Sequence, residues 1–223
     1  MRILLPPSEG KAEPEGGAPV DLDSLVFAAE LGKERRKLLR AANPTLRKAA
    51  AAPAAEVYTG VLYQRLDLAS LTAAARRRAA KRVLIASALW GFVRPKDRIP
   101  HYRLPPSTKL DGIGPLAAWW RPSLAAAMPD EPGETIVDMR SGAYASAWKP
   151  KRARLLAVRA FREEKGERKA VSHMVKAVRG DVARALLLAR VEPKTPEAVA
   201  AVATEAGFEI ELTPTSLDVI VGD

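Results

Sequence analysis

The chain has 223 residues and no cysteine, and its 36 lysines and arginines outnumber 26 aspartates and glutamates, giving a formal net charge of +10. The lack of cysteine excludes disulfides, thiolate metal sites and thiol redox chemistry. The positive charge favours an anionic partner such as nucleic acid, a nucleotide or an acidic membrane, although a basic composition can also reflect a GC-rich genome.

Length and hydropathy limit the class of protein further. A chain of this size predicts a single domain, residues 1–223, with a sizeable hydrophobic core. The apolar start at 3–5 is too short for a signal peptide, and no stretch is long enough to span a membrane. We therefore expect a cytoplasmic protein without a membrane partner.

The hydrophobic pattern predicts alternating strands and helices. In chain order the predicted elements are a strand at 2–5, helical segments at 21–52 and 54–66, a helix at 70–82, a strand at 83–86, a helix at 115–128, strands at 135–138, 155–161 and 169–175, a helix at 179–190, a helix from 195, and strands at 208–212 and 217–221. Asn43-Pro44 interrupts the first helical segment, and the second contains a kink or break. Ser70 and Thr195 are the predicted caps of their helices, and a turn at 163–167 joins two strands. This pattern predicts an α/β fold with a mixed sheet and surrounding helices.

The segment at 87–104, with the sequence SALWGFVRPKDRIPHYRL, follows a buried strand, and we call it the central segment. Gly91, Pro95 and Pro100 prevent one continuous helix, so we expect an irregular path that leaves the end of the strand. The segment interleaves cations with aromatic residues, which are Trp90, Phe92, Arg94, Lys96, Arg98, Tyr102 and Arg103. Such a mixture can hold a polyanion or stack on a base, and the alternative is a packed loop with solvated arginines.

The central segment resembles the signature of the YaaA family of peroxide stress proteins. Other parts of the family pattern occur in the expected order, namely an opening strand with a Pro-Ser-x-x-Lys turn, VYTG at 57–60, Trp119-Trp120, a turn at 141–144 and SHMVKAVRG at 172–180. Trp90 replaces the usual tyrosine, and Ala177-Val178 replaces a Lys-Ala pair. The resemblance implies a YaaA-like single-domain fold with a basic cleft. It also implies a cytosolic protein that limits damage from hydrogen peroxide and is linked to lower free intracellular iron.

The stretch KLDGIGPLA at 109–117 resembles the hairpin of a helix-hairpin-helix motif. Gly112 and Gly114, on either side of Ile113, allow a turn that exposes backbone N–H groups, and the next helix presents its positive N-terminus. Together these groups can grip one phosphate without reading a base, and Lys109 adds a charge. Pro105-Pro106 leaves little room for a full first helix, and the alternative is a glycine-rich turn that caps the next helix.

The turn Ser8-Glu9-Gly10-Lys11 follows the first strand and resembles a P-loop only superficially. It lacks the first glycine of that pattern and has Ala12 where a hydroxyl would bind Mg²⁺, so we exclude an NTPase. A hydroxyl and a lysine at a strand end can still bind an anion. A plain turn with a surface lysine is the competing interpretation.

The stretch at 172–180 passes from a strand into a helix. Lys176 and Arg179 are three residues apart and share a helix face if the helix begins there. Because both follow a predicted strand end, we expect them to line one cleft with Arg94 and Arg103 of the central segment.

Catalysis and metal binding receive little support from the sequence. Ser172 and His173 do not form a catalytic pair, because adjacent residues on a strand point to opposite faces. The chain has two histidines, so a histidine-rich iron site is impossible. We predict no catalytic residue, no metal and no cofactor.

These observations favour a monomer that binds double-stranded DNA through its phosphates, without sequence preference, in the response to hydrogen peroxide. The predicted DNA-binding residues are Arg94, Arg98, Arg103, Lys109, Gly112, Ile113, Gly114, Lys176 and Arg179. The alternative is an enzyme that acts on a nucleotide or another small phosphorylated substrate, and a third possibility is a protein-interaction module. The candidate ligand residues are Ser8, Lys11, Tyr58, Tyr102 and Ser141, with Arg103 and Lys176 at the same pocket. A deep, closed pocket with perturbed pKa values favours the enzyme, and an open basic groove of duplex width favours DNA.

Overall fold

The structure is a computed structural model that describes residues 1–164, 167–171 and 174–222. The strands are β1 (Arg2–Leu5), β2 (Ala51–Pro53), β3 (Val83–Ser87), β4 (Gly91–Val93), β5 (Arg98–Pro100), β6 (Lys109–Leu110), β7 (Gly114–Pro115), β8 (Thr135–Asp138), β9 (Arg154–Glu164), β10 (Glu167–Ala170), β11 (Glu209–Leu212) and β12 (Ser216–Val221). The helices are α1 (Ala28–Ala42), α2 (Ala54–Val57), α3 (Val61–Leu66), α4 (Ala73–Arg82), α5 (Leu116–Ala127), α6 (Gly142–Ala145), α7 (Val175–Leu188) and α8 (Pro196–Glu205). The predictions for Ser172, His173 and the middle of the turn at 163–167 lie outside the described residues.

One mixed sheet forms the centre of the fold, with the strand order β11-β12-β9-β8-β1-β3-β4. β12, β9, β8, β1 and β3 pair in parallel along this order. β11 and β4 are antiparallel at the two edges, and β10 pairs antiparallel with β9. The predicted α/β fold with a mixed sheet and surrounding helices is confirmed.

The strands β1, β3 and β8 lie in the interior of the sheet, and most of their side chains are apolar. Every residue of β3 and β8 is buried, as are three of the four residues of β1. Continuous buried runs of this kind are typical of parallel strands that have both faces covered. The middle of the sheet is therefore a rigid base for the segments that leave its strands.

β3 and β8 lie on opposite sides of β1. The chain first adds β3 on one side of β1 and later places β8 on the other side. The carboxyl ends of three adjacent parallel strands, at Leu5, Ser87 and Asp138, therefore meet at one edge of the sheet. In α/β sheets a ligand crevice forms where the connections diverge in this way. We therefore expect a ligand site at this edge of the sheet.

The central segment is pinned to α1 and includes β4 and β5. Arg35 of α1 is fully buried, and its guanidinium donates to the carbonyl oxygens of Trp90 at 3.0 Å and Phe92 at 2.9 Å. The carboxylate of Asp97 accepts from the backbone N–H of Arg94 at 2.9 Å. Trp90 and Phe92 are buried, so they are not available to stack on a base. For these two aromatic residues the packed-loop interpretation holds.

Several element predictions need correction. Thr72, rather than Ser70, caps α4 by accepting from the Ala75 N–H at 3.2 Å. The helical segment at 21–52 shrinks to α1 and a 3₁₀ turn, and its end forms β2, which pairs with β5. Val175 begins α7 instead of ending a strand. Pairing with distant segments overrides local propensity in such places. The break within 54–66 is confirmed, because α2 and α3 are separate helices, and Thr195 caps α8 as predicted.

Candidate functional site

Side chains from four segments meet at the carboxyl ends of β1 and β3. We call Ser8, Lys11, Tyr58, Ser87 and Tyr102 the strand-end cluster. Ser8 and Lys11 lie in the turn after β1, Tyr58 follows α2, Ser87 ends β3, and Tyr102 follows β5. A backbone bridge joins Lys11 to Tyr58 and holds the turn in place. All of these residues except Ser87 were candidates from the sequence, and Ser87 was missed although it opens the central segment.

Lys11 lies half-buried against two tyrosine rings. Its Nζ is 4.7 Å from the ring centroid of Tyr102 and 5.6 Å from that of Tyr58, which are cation–π distances. Nζ donates to the carbonyl oxygen of Ser8 at 2.7 Å. Burial lowers the pKa of Lys11 to about 8, and the nearby Glu9 carboxylate acts in the opposite direction.

The hydroxyl groups of Ser87, Tyr102 and Tyr58 form a chain. The Tyr102 oxygen is 2.7 Å from Ser87 Oγ and 2.7 Å from the Tyr58 oxygen. Ser87 Oγ also accepts from the backbone N–H groups of Leu89 at 3.1 Å and Trp90 at 3.0 Å. A serine hydroxyl has two acceptor lone pairs and one hydrogen. Because the two N–H groups occupy the lone pairs, Ser87 donates its hydrogen to Tyr102.

Burial keeps the phenols of this region protonated. Desolvation raises the pKa of Tyr58, Tyr63 and Tyr102 well above the usual tyrosine value. Tyr63 stacks on Tyr58 with ring centroids 5.6 Å apart and donates to the carbonyl oxygen of Pro6 at 2.7 Å. Each phenol therefore carries a hydrogen at neutral pH and can act as a donor.

Residues of α6 and α7 approach the turn after β1. Lys176 Nζ lies 3.3 Å from Glu9 Oε1, and both side chains are exposed. Burial, together with the nearby Glu9, raises the pKa of Tyr144 to about 12. Since Glu9 also acts on Lys11, the structure brings Lys176 and Tyr144 close to the strand-end cluster. Ser141 is exposed at the start of α6 and provides no side-chain cap.

Arg179 is tied to the sheet. Its guanidinium donates to the Val158 carbonyl oxygen of β9 at 3.1 and 3.2 Å, and burial lowers its pKa. Close by, Asp138 and Arg140 form a buried ion pair at 2.8 Å, and Arg140 also donates to the Trp148 carbonyl oxygen at 3.0 Å. This pair was not predicted from the sequence, where its signal is an aspartate at a strand end that is followed two residues later by an arginine.

The arginines of the central segment lie elsewhere. β4 is antiparallel to β3, so Arg94, which follows β4, lies toward the amino end of β3, with Nη1 3.5 Å from the carbonyl oxygen of Ala80 in α4. Arg98 donates to the carbonyl oxygen of Ala51 in β2, and Arg103 is exposed. The expected single cleft therefore does not include Arg94, because strand direction puts it at the opposite end of the sheet from the cations of α7.

The β6–β7 hairpin exposes its glycines. Gly112 and Gly114 have φ angles of 68° and 74°, in the left-handed region that glycine adopts most easily. Both glycines and Lys109 are exposed, and no heavy atom lies within 4 Å of a Cβ built at either glycine. Ile113 points the other way and packs against the core. The turn is therefore anchored by one side chain and open at its two glycines.

The first helix of a helix-hairpin-helix motif is absent directly before the hairpin, as the Pro105-Pro106 pair led us to expect. Residues 101–108 form turns and extended backbone rather than a helix, and Pro105-Pro106 accounts for this. The second helix is present, because α5 begins at Leu116 directly after the hairpin. Trp120 of α5 donates from Nε1 to the Ala88 carbonyl oxygen at 2.8 Å, which fixes α5 against the central segment.

A cavity of about 510 Å³ lies beside the strand-end cluster. Its wall includes Tyr58 and Tyr63, Arg76 of α4 and Lys96 of the central segment. This volume is within the range of small-molecule sites. A cavity large enough for a small molecule is therefore present beside the cluster.

Metal-binding clusters and membrane-spanning helices are both missing from the described part of the chain. Among the described side chains, no three histidines, aspartates or glutamates come together as a metal site. The absence of a metal or cofactor stays a prediction. Over the part of the chain that the structure describes, no helix has the length and apolar character needed to cross a membrane.

The fold and the site define an α/β protein with a tyrosine-lined lysine at its strand ends and a glycine hairpin that leads into a helix. The chain belongs to the family of the peroxide stress protein YaaA, whose family model matches residues 19–213. It is 43% identical over 258 residues to a UPF0246 protein of Streptomyces coelicolor, with 99% of this chain and 98% of the relative covered. It is 37% identical over 239 residues to a UPF0246 protein of Corynebacterium efficiens, with 95% of each chain covered. The predicted family is confirmed.

Proposed function

We propose that this protein binds double-stranded DNA in the response to hydrogen peroxide. Membership of the peroxide stress family and the net charge of +10 support this role. The observation that carries the proposal is the exposed hairpin. Gly112 and Gly114 leave the backbone of the turn open to a phosphate, directly before the N-terminus of α5.

Binding is directed to the phosphates and not to the bases. A glycine turn offers backbone N–H groups, which fix a phosphate but carry no sequence information. Trp90 and Phe92 are buried, so stacking on bases does not contribute. Lys109 and Arg103 are exposed and add cationic contacts along the duplex. The protein therefore binds unrelated sequences with similar affinity.

The proposed role in peroxide stress includes a link to lower free intracellular iron, which limits the oxidative damage to DNA that iron and peroxide cause together. With no cysteine and two histidines, the chain is poor in the ligands that favour a tight iron site of its own.

Fluorescence anisotropy with labelled duplexes of unrelated sequence tests the DNA proposal. If about six phosphates are neutralised, log K should fall with log salt at a slope near −5. Similar affinities for all duplexes are expected at each salt concentration. A flat salt response, or no binding at low salt, would exclude backbone binding.

Anaerobic calorimetry with Fe²⁺ tests the indirect role in iron handling. We expect no stoichiometric site of micromolar or better affinity. A tight site would show that carboxylates of this chain bind iron directly.

A small phosphorylated ligand is the second candidate partner. The strand-end cluster favours it, because Lys11 and buried hydroxyl groups converge beyond the carboxyl ends of the parallel strands β1 and β3. Such a ligand would be the substrate in the alternative function, an enzyme that acts on a nucleotide or another small phosphorylated molecule.

A further inference from the structure

The cavity of about 510 Å³ beside the strand-end cluster has walls of its own. It lies among α2, α3, α4 and the central segment, and its wall runs from Pro53 of β2 to Lys96. Among the described residues, Tyr58 alone belongs to both the cavity wall and the strand-end cluster. Tyr58 is buried and its hydroxyl is bonded to that of Tyr102, so the polar end of this side chain belongs to the cluster and not to the cavity.

Much of the cavity wall is apolar. Its apolar members include Pro53, Tyr63, Leu68, Ala79, Ala80 and Pro95. Tyr63 donates its hydroxyl hydrogen to the carbonyl oxygen of Pro6 at 2.7 Å, so it offers its ring to the cavity. The backbone N–H of Ala55, which also lines the cavity, is taken by the carbonyl oxygen of Pro95 at 2.9 Å. A ligand is therefore favoured if it places an apolar body against this wall, because both surfaces leave water.

Charged side chains complete the wall, and their balance is positive. They are Glu56, Asp67, Arg76 and Lys96. The Asp67 carboxylate accepts a backbone N–H at 3.3 Å and lies 3.9 Å from Arg184, so its charge is already compensated. Within the described part of the chain, Glu56, Arg76 and Lys96 are exposed and have no ion-pair partner, and Arg76 makes one hydrogen bond, to a backbone carbonyl oxygen at 3.4 Å. Two free cations and one free carboxylate leave an excess of one positive charge.

We propose that this cavity binds a small amphipathic carboxylate, in which an apolar ring or short alkyl chain carries one carboxylate group. The apolar wall holds the body of the ligand, and Arg76 and Lys96 bind its charge. A guanidinium group can donate two parallel N–H bonds to the two oxygens of a carboxylate. The single excess charge matches a singly charged anion better than a phosphate monoester, which carries about −1.5 to −2 at neutral pH. The cavity volume is in the range of small-molecule sites.

The cavity is separate from the groups that support the proposed function. Neither Lys11 and Tyr102 of the strand-end cluster nor any residue of the β6–β7 hairpin belongs to its wall as far as the structure describes the chain. Binding of a carboxylate in the cavity can therefore be present or absent whether or not the protein binds DNA or a phosphorylated ligand.

Calorimetry with 2-naphthoate at constant ionic strength tests the proposal. The naphthalene ring is the apolar body, and 2-naphthalenemethanol is the matched ligand without a charge. We expect saturable binding of 2-naphthoate with a Kd below about 1 mM, and at least about tenfold weaker binding of the alcohol. The proposal is wrong if the wild type does not bind 2-naphthoate, if the alcohol binds equally well, or if 2-naphthyl phosphate binds more tightly.

Arg76→Gln tests the contact with the carboxylate. We expect at least about fivefold weaker binding of 2-naphthoate and unchanged binding of the alcohol, because only the carboxylate loses a partner. Arg77→Gln changes the next residue of α4, which is exposed and does not line the cavity, and should retain wild-type affinity for both ligands. Equal affinities of Arg76→Gln and the wild type for 2-naphthoate would overturn the assignment of this arginine.

Ala69→Trp tests where the apolar body binds. The residue lines the cavity at an exposed position, so a large side chain there should occupy the cavity and leave the protein folded. We expect at least about tenfold weaker binding of 2-naphthoate. Ala74→Trp, at an exposed position of α4 outside the cavity, is the control, and thermal melts check the fold of both variants. If Ala69→Trp is folded and binds 2-naphthoate like the wild type, the ligand does not bind in the cavity.

Duplex binding by Arg76→Gln, measured in parallel, separates the cavity from the DNA surface. We expect the affinity for DNA to stay within about twofold of the wild type, because the hairpin is unchanged. If Arg76→Gln weakens duplex binding and leaves the binding of 2-naphthoate unchanged, the cations of the cavity belong to the DNA surface and the proposal is wrong.

Discussion

The strand-end cluster and the β6–β7 hairpin offer donors to an anion in two different ways. In the cluster the donors are side chains on segments that are packed into the core. The Ser87 hydroxyl, for example, makes three hydrogen bonds, one with Tyr102 and two with backbone N–H groups. In the hairpin the donors belong to the backbone of an exposed turn, and nothing crowds Gly112 or Gly114. A substitution in the cluster should therefore change both the stability of the fold and anion binding, whereas a substitution in the hairpin can weaken binding and leave the protein folded.

Ser87→Ala should have the largest effect and tests this coupling. It removes the acceptor for the N–H groups of Leu89 and Trp90 and the donor to Tyr102. A buried group left unpaired costs about 1–3 kcal/mol, so we expect a loss of about 3 kcal/mol in unfolding free energy. Urea denaturation measures it, with Ser87→Thr as the control that keeps a hydroxyl. A loss below about 1 kcal/mol would mean that the chain of hydroxyls does not support the fold.

Gly112→Val and Gly114→Val test whether binding can be weakened in the hairpin without unfolding the protein. A β-branched residue at positive φ adds roughly 1–2 kcal/mol of strain, which a typical domain tolerates. Its side chain should obstruct a phosphate, so we expect a folded protein with weakened duplex binding. Thermal melts and anisotropy curves measure the two effects. Variants that fail to fold would show that the hairpin is a structural, helix-capping turn.

The pH dependence of the unfolding free energy tests whether Lys11 is half-buried. Its pKa is about 8 in the folded protein and about 10.4 when unfolded, so between these values the unfolded chain binds more protons. The free energy of unfolding should therefore rise as the pH increases from 8 to 10.4. Because solvent reaches part of the side chain, we expect a rise of only about 1 kcal/mol relative to Lys11→Met. The free energy of unfolding of both proteins, measured as a function of pH, gives the difference. If it changes with pH in the same way for the two proteins, Lys11 is not half-buried.

Lys109→Ala should have the smallest effect on stability. The side chain is exposed, so the unfolding free energy should stay within about 0.5 kcal/mol of the wild type. If Lys109 contacts one phosphate, the slope of log K against log salt should become about one unit less negative. Lys33→Ala in α1 serves as the matched control and should leave the slope unchanged. If Lys109→Ala and both glycine variants bind DNA like the wild type, the phosphate contacts must come from other residues.

The sequence predicted much of the candidate site but not its arrangement. Ser8, Lys11, Tyr58 and Tyr102 were candidates because each stands in a family motif or at a predicted strand end, and the structure brings them together. Ser87 was missed although it opens the central segment, because only the cations and aromatic residues of that segment indicated a ligand. Its role depends on which N–H groups fold back onto it.

By itself the sequence determined the middle strands, the break between α2 and α3, the glycine turn at 112–114 and the family. These features depend on residues close together in the chain, through periodicity, caps and turn chemistry. Only the tertiary structure decided which end of the sheet each side chain occupies. Arg94 lies far from the cations of α7 because β4 is antiparallel to β3. Lys11 lies next to the hydroxyl groups of Ser87, Tyr102 and Tyr58 because β1 and β3 are parallel. Strand direction is set by pairing between distant segments, and local sequence patterns do not encode it.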